Sequence, residues 1–216
     1  MNRLTGRILD FILVACALSM TVGVVGRGTL FQRPASDGLS GFKGWRDEFQ
    51  FPRRIGRQDA AYKLVIWTDY QCPACRQFEK SLDTVRAQLG DSLAVIYRYD
   101  PLPIHPLAFP AAVAAECANE QGQFASMTQA LFVTPLTGEK LPIASLIAIS
   151  HIPNQVLLRS CIADSNAAAV AAVKADLVHV SSLNLRGTPG LQIGDRVSTG
   201  GLPASELLQR LRSARE

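Results

Sequence analysis

Two cysteines, Cys72 and Cys75, stand where an apolar run gives way to a helical pattern, in Lys63-Leu-Val-Ile-Trp-Thr-Asp-Tyr-Gln-Cys-Pro-Ala-Cys75. At i and i+3 of a helix two side chains share one face, with Cβ atoms about 5–6 Å apart. That is close enough for a disulfide to form after small adjustments, or to open without unfolding anything. Cys72 falls at the helix N-terminus, where unpaired N–H groups and the helix dipole favour a thiolate. Pro73 suits the first turn, because the N–H it lacks would have no partner there. The pair is a candidate redox dithiol. A lone C-x-x-C can also be half a zinc site or an inert disulfide. Zinc takes about four ligands, and the sequence has no second C-x-x-C and no H-x-x-x-H, so no metal is expected.

The flanking elements decide whether the pair is held in a usable place. Tyr62 to Thr68 is a short β-rich run that reads as a buried strand. Phe78, Leu82, Val85 and Leu89 then recur at the spacing of one helix face, and Gly90-Asp91 ends the pattern. Ser92 to Tyr99 is a second strand, so a parallel β-α-β unit is predicted, with the cysteines at its first strand-to-helix junction. A proline-broken loop carrying His105 follows. Helical stretches are predicted over about 107–120, 123–132, 142–150 and 153–164. The last long one, 166–183, is rich in Ala and Val and is expected to be buried on most sides. Residues 187–198 read as a hairpin turning at Gly194-Asp195, and 204–214 as an amphipathic helix.

The bulk numbers are those of a globular chain: 48% hydrophobic, 19% charged, formal net charge +4. The basic residues are scattered rather than interleaved with aromatics, so no nucleic-acid partner is expected. Residues 1–27 read as an export segment. Arg3 and Arg7 precede an apolar run from Phe11 to Gly26 that spans about 24 Å as a helix, short of the roughly 30 Å hydrocarbon core. A signal-anchor is preferred over a cleaved signal peptide, with a buried N-terminal helix as the third possibility. Either export route puts the domain outside the cytoplasm, on the periplasmic or extracellular side, where disulfides persist. Cys16 in the apolar run reads as a small hydrophobe. Residues 28–52 are expected to be a tether that begins to dock near Trp45 and Phe49, and 53–216 the main domain, with a helical insertion over about 105–165.

Several segments together resemble the DsbA-like branch of the thioredoxin superfamily. They are Thr68-Asp-Tyr-Gln-Cys-Pro-Ala-Cys75, Arg186-Gly-Thr-Pro-Gly-Leu-Gln-Ile-Gly-Asp-Arg196, the upstream Arg54–Ala60 and the central His105-Pro106 and Ala114–Phe124. The resemblance covers roughly residues 50 to 215 and implies an α/β, thioredoxin-like fold with an inserted helical block, here preceded by the N-terminal hydrophobic helix. It implies that Cys72 is the exposed nucleophile and Cys75 the more buried resolving thiol. It also implies that Pro189 is a cis-proline against the disulfide and that Thr188 offers backbone groups to a bound peptide. The other reading of Pro189 is an ordinary turn proline. The resemblance further implies a structural disulfide between Cys117 and Cys161, the alternative being two unrelated buried thiols. It calls for no cofactor.

One departure stands out. The family often has a buried acid six residues before the first cysteine, and here that position is Ile66. Asp69 is nearer but is expected at the strand end, outside the core. Nor does Pro73-Ala74 contain the histidine of strongly oxidising relatives, so a milder oxidant is expected. His105 is more readily structural or solvated than part of the site. Trp67, Tyr70 and Phe78 are expected to pack the core and the rim of the site. The function implied is extracytoplasmic thiol–disulfide exchange with cysteine-containing protein substrates, reset by a membrane redox partner, in a direction the sequence leaves open. The alternative is a non-catalytic, anchored scaffold.

Overall fold

The computed structural model describes residues 53–214. The expected anchor at 1–27, with Cys16, and the expected tether at 28–52, with Trp45 and Phe49, lie outside the described residues.

The β-α-β unit forms as the hydrophobic pattern predicts. Strand β2 (Tyr62–Thr68) runs into helix α1 (Pro73–Leu89), and β3 (Leu93–Tyr99) returns parallel to β2, pairing Val65 with Ile96. A two-residue strand, β1 (Arg54–Ile55), lies antiparallel on β3. It is too short to leave a periodic signal, and the sequence reading contained no strand there. Strands β4 (Gly190–Ile193) and β5 (Arg196–Thr199) form the expected hairpin, with Gly194 at φ +59° in its turn. The sheet order is β1-β3-β2-β4-β5, and β4 is antiparallel to β2.

Alternation along β2 and β3 divides the core between the two faces of the sheet. Leu64, Ile66, Val95, Tyr97 and Tyr99 share a cluster with α1 and with α7 (Ala204–Ser213), which contributes Leu207, Leu208 and Leu211. Val65, Trp67, Ala94 and Ile96 form a second cluster with Val180 and Leu183, at the end of helix α6 (Ala168–Ser182). Between β3 and α6 come α2 (Ala108–Asn119), α3 (Phe124–Val133), α4 (Ile143–Ser150) and α5 (Gln155–Ala163). Helix α2 is buried along most of its length and is the hub of this block.

Helix α6 departs from expectation. Only Ala169, Val173, Asp176 and Val180 are buried on it, a single stripe at helical spacing, and Val178 is 74% exposed. Its Ala and Val content hid an ordinary amphipathic geometry, because small apolar residues are tolerated on an exposed face.

Cys117 on α2 and Cys161 on α5 are bonded to each other, closing a separation of 44 residues. On the chain-entropy model such a closure is worth about 4 kcal/mol. Leu158 is the one buried side chain of α5, so the bridge is a principal attachment of that helix.

Candidate active site

Cys72 is the N-cap of α1 and Pro73 its first residue, so Cys75 stands one turn in. The sulfur of Cys72 lies at the positive end of the helix, within reach of the N–H groups of Ala74 and Cys75. Cys72 is 6% exposed and Cys75 1%. The order is the one expected, but the outer thiol is only narrowly open rather than exposed.

Across from the pair runs the loop before β4, with a cis peptide between Thr188 and Pro189. The Cys72 sulfur lies 3.7 Å from the Thr188 carbonyl oxygen, to which it donates only while protonated. Thr188 Oγ1 is buried and makes no well-formed hydrogen bond, yet it lies near enough to favour negative charge on either sulfur. The two cysteines, Thr188 and Pro189 are thus brought into one place, while Cys117 and Cys161 sit apart in the helical block.

The two thiols are driven in opposite directions. A hydrogen bond from Cys75, assisted by Thr188 and by the helix N–H groups and opposed by burial, lowers the Cys72 thiol to about 5. Donating that hydrogen bond to Cys72 and being buried raise Cys75 far above the ordinary thiol range. The reduced site is therefore a Cys72 thiolate beside a neutral Cys75 thiol. A value of about 5 lies between the ~7 of a thioredoxin and the ~3.5 of a strongly oxidising DsbA.

Ile66, in the position of the missing acid, is fully buried in the same cluster as both cysteines. Asp69 corrects the sequence reading: it is 1% exposed, not outside the core. A carboxylate can be buried there because donors surround it. Oδ1 accepts the N–H groups of Gln71 at 2.8 Å and Cys72 at 3.1 Å. Oδ2 accepts the N–H of Leu102 at 2.9 Å and faces His105 Nδ1 at 2.6 Å. His105 therefore belongs to the surroundings of the site. An Asp three residues before an N-cap is a turn signal that foretells the Oδ1 contacts, but nothing local in the sequence joins Asp69 to His105.

Two further polar residues tie the helical block to the head of α1. The Gln71 amide accepts the N–H of Leu107 at 2.7 Å and donates to the Leu136 carbonyl at 3.0 Å. The Arg76 guanidinium donates to the carbonyls of Phe132 and, at 3.2 Å, Thr134, at the C-terminal end of α3, where a cation is favoured. Trp67, Tyr70 and Phe78 are all buried. Tyr70 packs on Phe132 and shares a hydrogen bond of 3.0 Å with Thr128. Trp67 stacks on His179, which lies on α6. Among the described residues no three His, Cys, Asp or Glu side chains are grouped to hold a metal.

A thioredoxin-type sheet carrying a helix-capped C-x-x-C opposite a cis-proline defines the class. A family described as thioredoxin matches residues 50–211, and the chain belongs to that family. A thioredoxin-like oxidoreductase from Silicibacter pomeroyi is similar in structure, with TM-score 0.66 and 22% identity over 79% of this chain and 97% of that one. The thiol-disulfide exchange protein alpha-DsbA2 of Wolbachia pipientis superposes with TM-score 0.63 and 17% identity over 78% of this chain and 94% of that one. At these identities the likeness establishes the fold. Among curated proteins, a Na(+)/H(+) antiporter NhaA 1 of Mycolicibacterium gilvum is 31% identical over 74% of this chain but only 26% of its own length. The chain thus spans about a quarter of that relative. The DsbA-like resemblance read from the sequence holds at the level of family and fold.

Proposed function

We propose that this chain is an extracytoplasmic thiol–disulfide oxidoreductase that exchanges disulfides with cysteine-containing proteins through Cys72 and Cys75. The observation that carries the reading is geometric: Cys72 caps the head of α1, Cys75 lies one turn in, and the cis Thr188–Pro189 peptide faces them; the opposite shifts of the two thiols agree with it. In the oxidising direction a substrate thiolate attacks Cys72 of the disulfide, and Cys75 leaves and takes a proton. The substrate's second thiolate then attacks its own bridged sulfur and releases Cys72, the better leaving group of the two because its thiolate is the more stable. An extended substrate segment beside Thr188 and Pro189 holds its cysteine near Cys72 by backbone pairing. A membrane redox partner resets the dithiol.

Placement outside the cytoplasm, with the domain tethered by an N-terminal anchor, is supported by the apolar run from Phe11 to Gly26 and by the Cys117–Cys161 bridge. Ion antiport is no part of the proposal, since the match leaves about three quarters of the antiporter-named relative unpaired.

The test is refolding of a reduced, denatured disulfide protein, beside insulin reduction, with the intact chain and with Cys72→Ser. Activity in one or both assays that falls by two or more orders of magnitude in the variant is expected. Equal, background-level rates for both proteins would instead identify a binding scaffold.

A further inference from the structure

We propose that Asp69 and His105 balance the charge of the Cys72 thiolate, with His105 taking up a proton at Nε2 when the dithiol is reduced. The inference rests on Cys72 being the residue that carries thiolate in the reduced site.

The geometry fixes the roles. Three backbone N–H donors already reach the two oxygens, as suits an ionised, acceptor-only carboxylate. Against such a carboxylate, whose Oδ2 also receives the Leu102 N–H, the contact of 2.6 Å assigns the hydrogen to His105 Nδ1. That tautomer leaves Nε2 as the position that gains or loses a proton, on a side chain 17% exposed. The same carboxylate holds the backbone N–H of Cys72 on its other oxygen. The ring and the backbone of the nucleophile thus both touch one buried charge.

The charges facing the pair are few. Asp100, in the loop after β3, has its carboxyl raised by burial first and by the Asp69 charge second, so it adds no cation. Arg76 on α1 spends its guanidinium on the carbonyls of Phe132, Thr134 and Tyr70. Cys75 stays protonated. His105 is then the group placed to offset Asp69. With Nε2 unprotonated, an uncompensated carboxylate stands one residue's backbone away from the thiolate and disfavours it; with Nε2 protonated, the pair is neutral and the thiolate is favoured. By reciprocity, forming the thiolate strengthens proton binding at His105 by the same factor.

The proton count closes. A substrate dithiol gives up two electrons and two protons as its disulfide forms. The electrons break the Cys72–Cys75 bond. Cys75 keeps one proton, Cys72 remains a thiolate, and the second proton is left over. His105 Nε2 is the place the geometry offers for it. This supplies part of the proton handling for which a buried acid at position 66 is lacking.

The test reads thiolate directly, by ultraviolet absorbance of the reduced protein against pH, and so does not depend on exchange activity. H105N keeps a donor toward Asp69 Oδ2 but cannot titrate. It should raise the Cys72 midpoint by about one pH unit, the size expected for losing a charge several ångströms away in a partly screened site. D69N removes the opposing charge and should lower the midpoint. Loss of packing alone would move both variants the same way, which counts against the proposal. In the unmodified protein, the NMR titration of the His105 ring should shift upward on reduction of Cys72–Cys75. Identical His105 titrations in the oxidised and reduced protein, or an H105N thiolate curve superposed on that of the unmodified chain, would overturn it. A protein that shows these shifts but no disulfide exchange keeps the charge balance and loses the proposed function instead.

Discussion

The residues around Cys72 each serve two masters, the sheet end on one side and the helical block on the other. Asp69 fixes the turn that presents Cys72 and also holds the loop through Leu102 and His105. Gln71 spans from Leu107 to Leu136. A side chain so placed must keep its length and its polarity, so its worth is geometric before it is energetic. The same holds for a residue with no side chain at all. Gly56 has φ +106°, and a Cβ there would meet the Leu93 carbonyl oxygen at 2.2 Å. Gly56→Ala should destabilise the fold by about 3 kcal/mol or more, since both the backbone angle and the clash with β3 oppose it. A urea midpoint within error of the unmodified protein would contradict this. Sequence carried the dithiol because its spacing is local, and the cis-proline loop only through the family resemblance. Asp69 was misplaced because a single acid at a strand end normally faces water; only the donors arriving from residue 102 and His105, both distant along the chain, allow it to be buried.

Among the elements, α6 has the most consequential attachment. It offers one buried stripe, and within that stripe sits Asp176, 1% exposed. Its carboxylate accepts from Arg98 at 2.6 Å, from Arg53 at 2.5 Å and from the Tyr99 N–H at 2.9 Å. Arg53 also lies 4.5 Å above the Tyr99 ring, whose hydroxyl donates to Glu116 on α2. Burial opposes the Arg53 charge, and Asp176, Tyr99 and Glu116 together more than offset it, so its guanidinium stays charged. One acid thereby joins β3, α6 and the segment ahead of β1. Asp176→Ala should cost about 3–5 kcal/mol, because two buried guanidinium groups lose the acid that lies closest to both, while Arg53 still faces Glu116 at 3.5 Å. Chemical denaturation is the measurement, and a loss below 1 kcal/mol would show that water enters and replaces the acid. Periodicity foretold where α6 lies, but the charge inside its stripe was invisible, since Ala and Val neighbours made every face look apolar. Strand β1 escaped for a plainer reason: at two residues no alternation exists to be read.

Across the whole molecule, the redox state of one bond is linked to global stability. The Cys72 thiol is held at about 5 in the folded chain, against roughly 8.5 for an unperturbed cysteine. A depressed acid adds stability that is absent below its folded value, grows as pH rises between the two values, and is complete above the unfolded one. The oxidised protein has no such group. Cys75, shifted the other way, contributes a constant amount below about 8.5 and declines only above it. The melting temperature of the reduced form relative to the oxidised form should therefore rise steadily from pH 5 to about 8.5. Calorimetry on both forms measures it, and a difference that stays flat over that window would mean that Cys72 is not the acidic thiol of the pair. The β2-α1-β3 unit, the order of the helices and the final hairpin could all be read from the chain beforehand. The way segments near residues 102–107 and 132–136 meet Asp69, Gln71 and Arg76 at the head of α1 could not, since no local pattern encodes a meeting of loops.

The sheet order has a bearing on the company such a protein keeps. Its outer strands among the described residues are β1 and β5, two and four residues long. A protein that handles unfolded chains is surrounded by exposed, strand-prone segments looking for an open ladder to join. Edges this brief give them almost nothing to extend, so under the proposed function a client would be held at a cysteine and let go again without seeding aggregates on its handler.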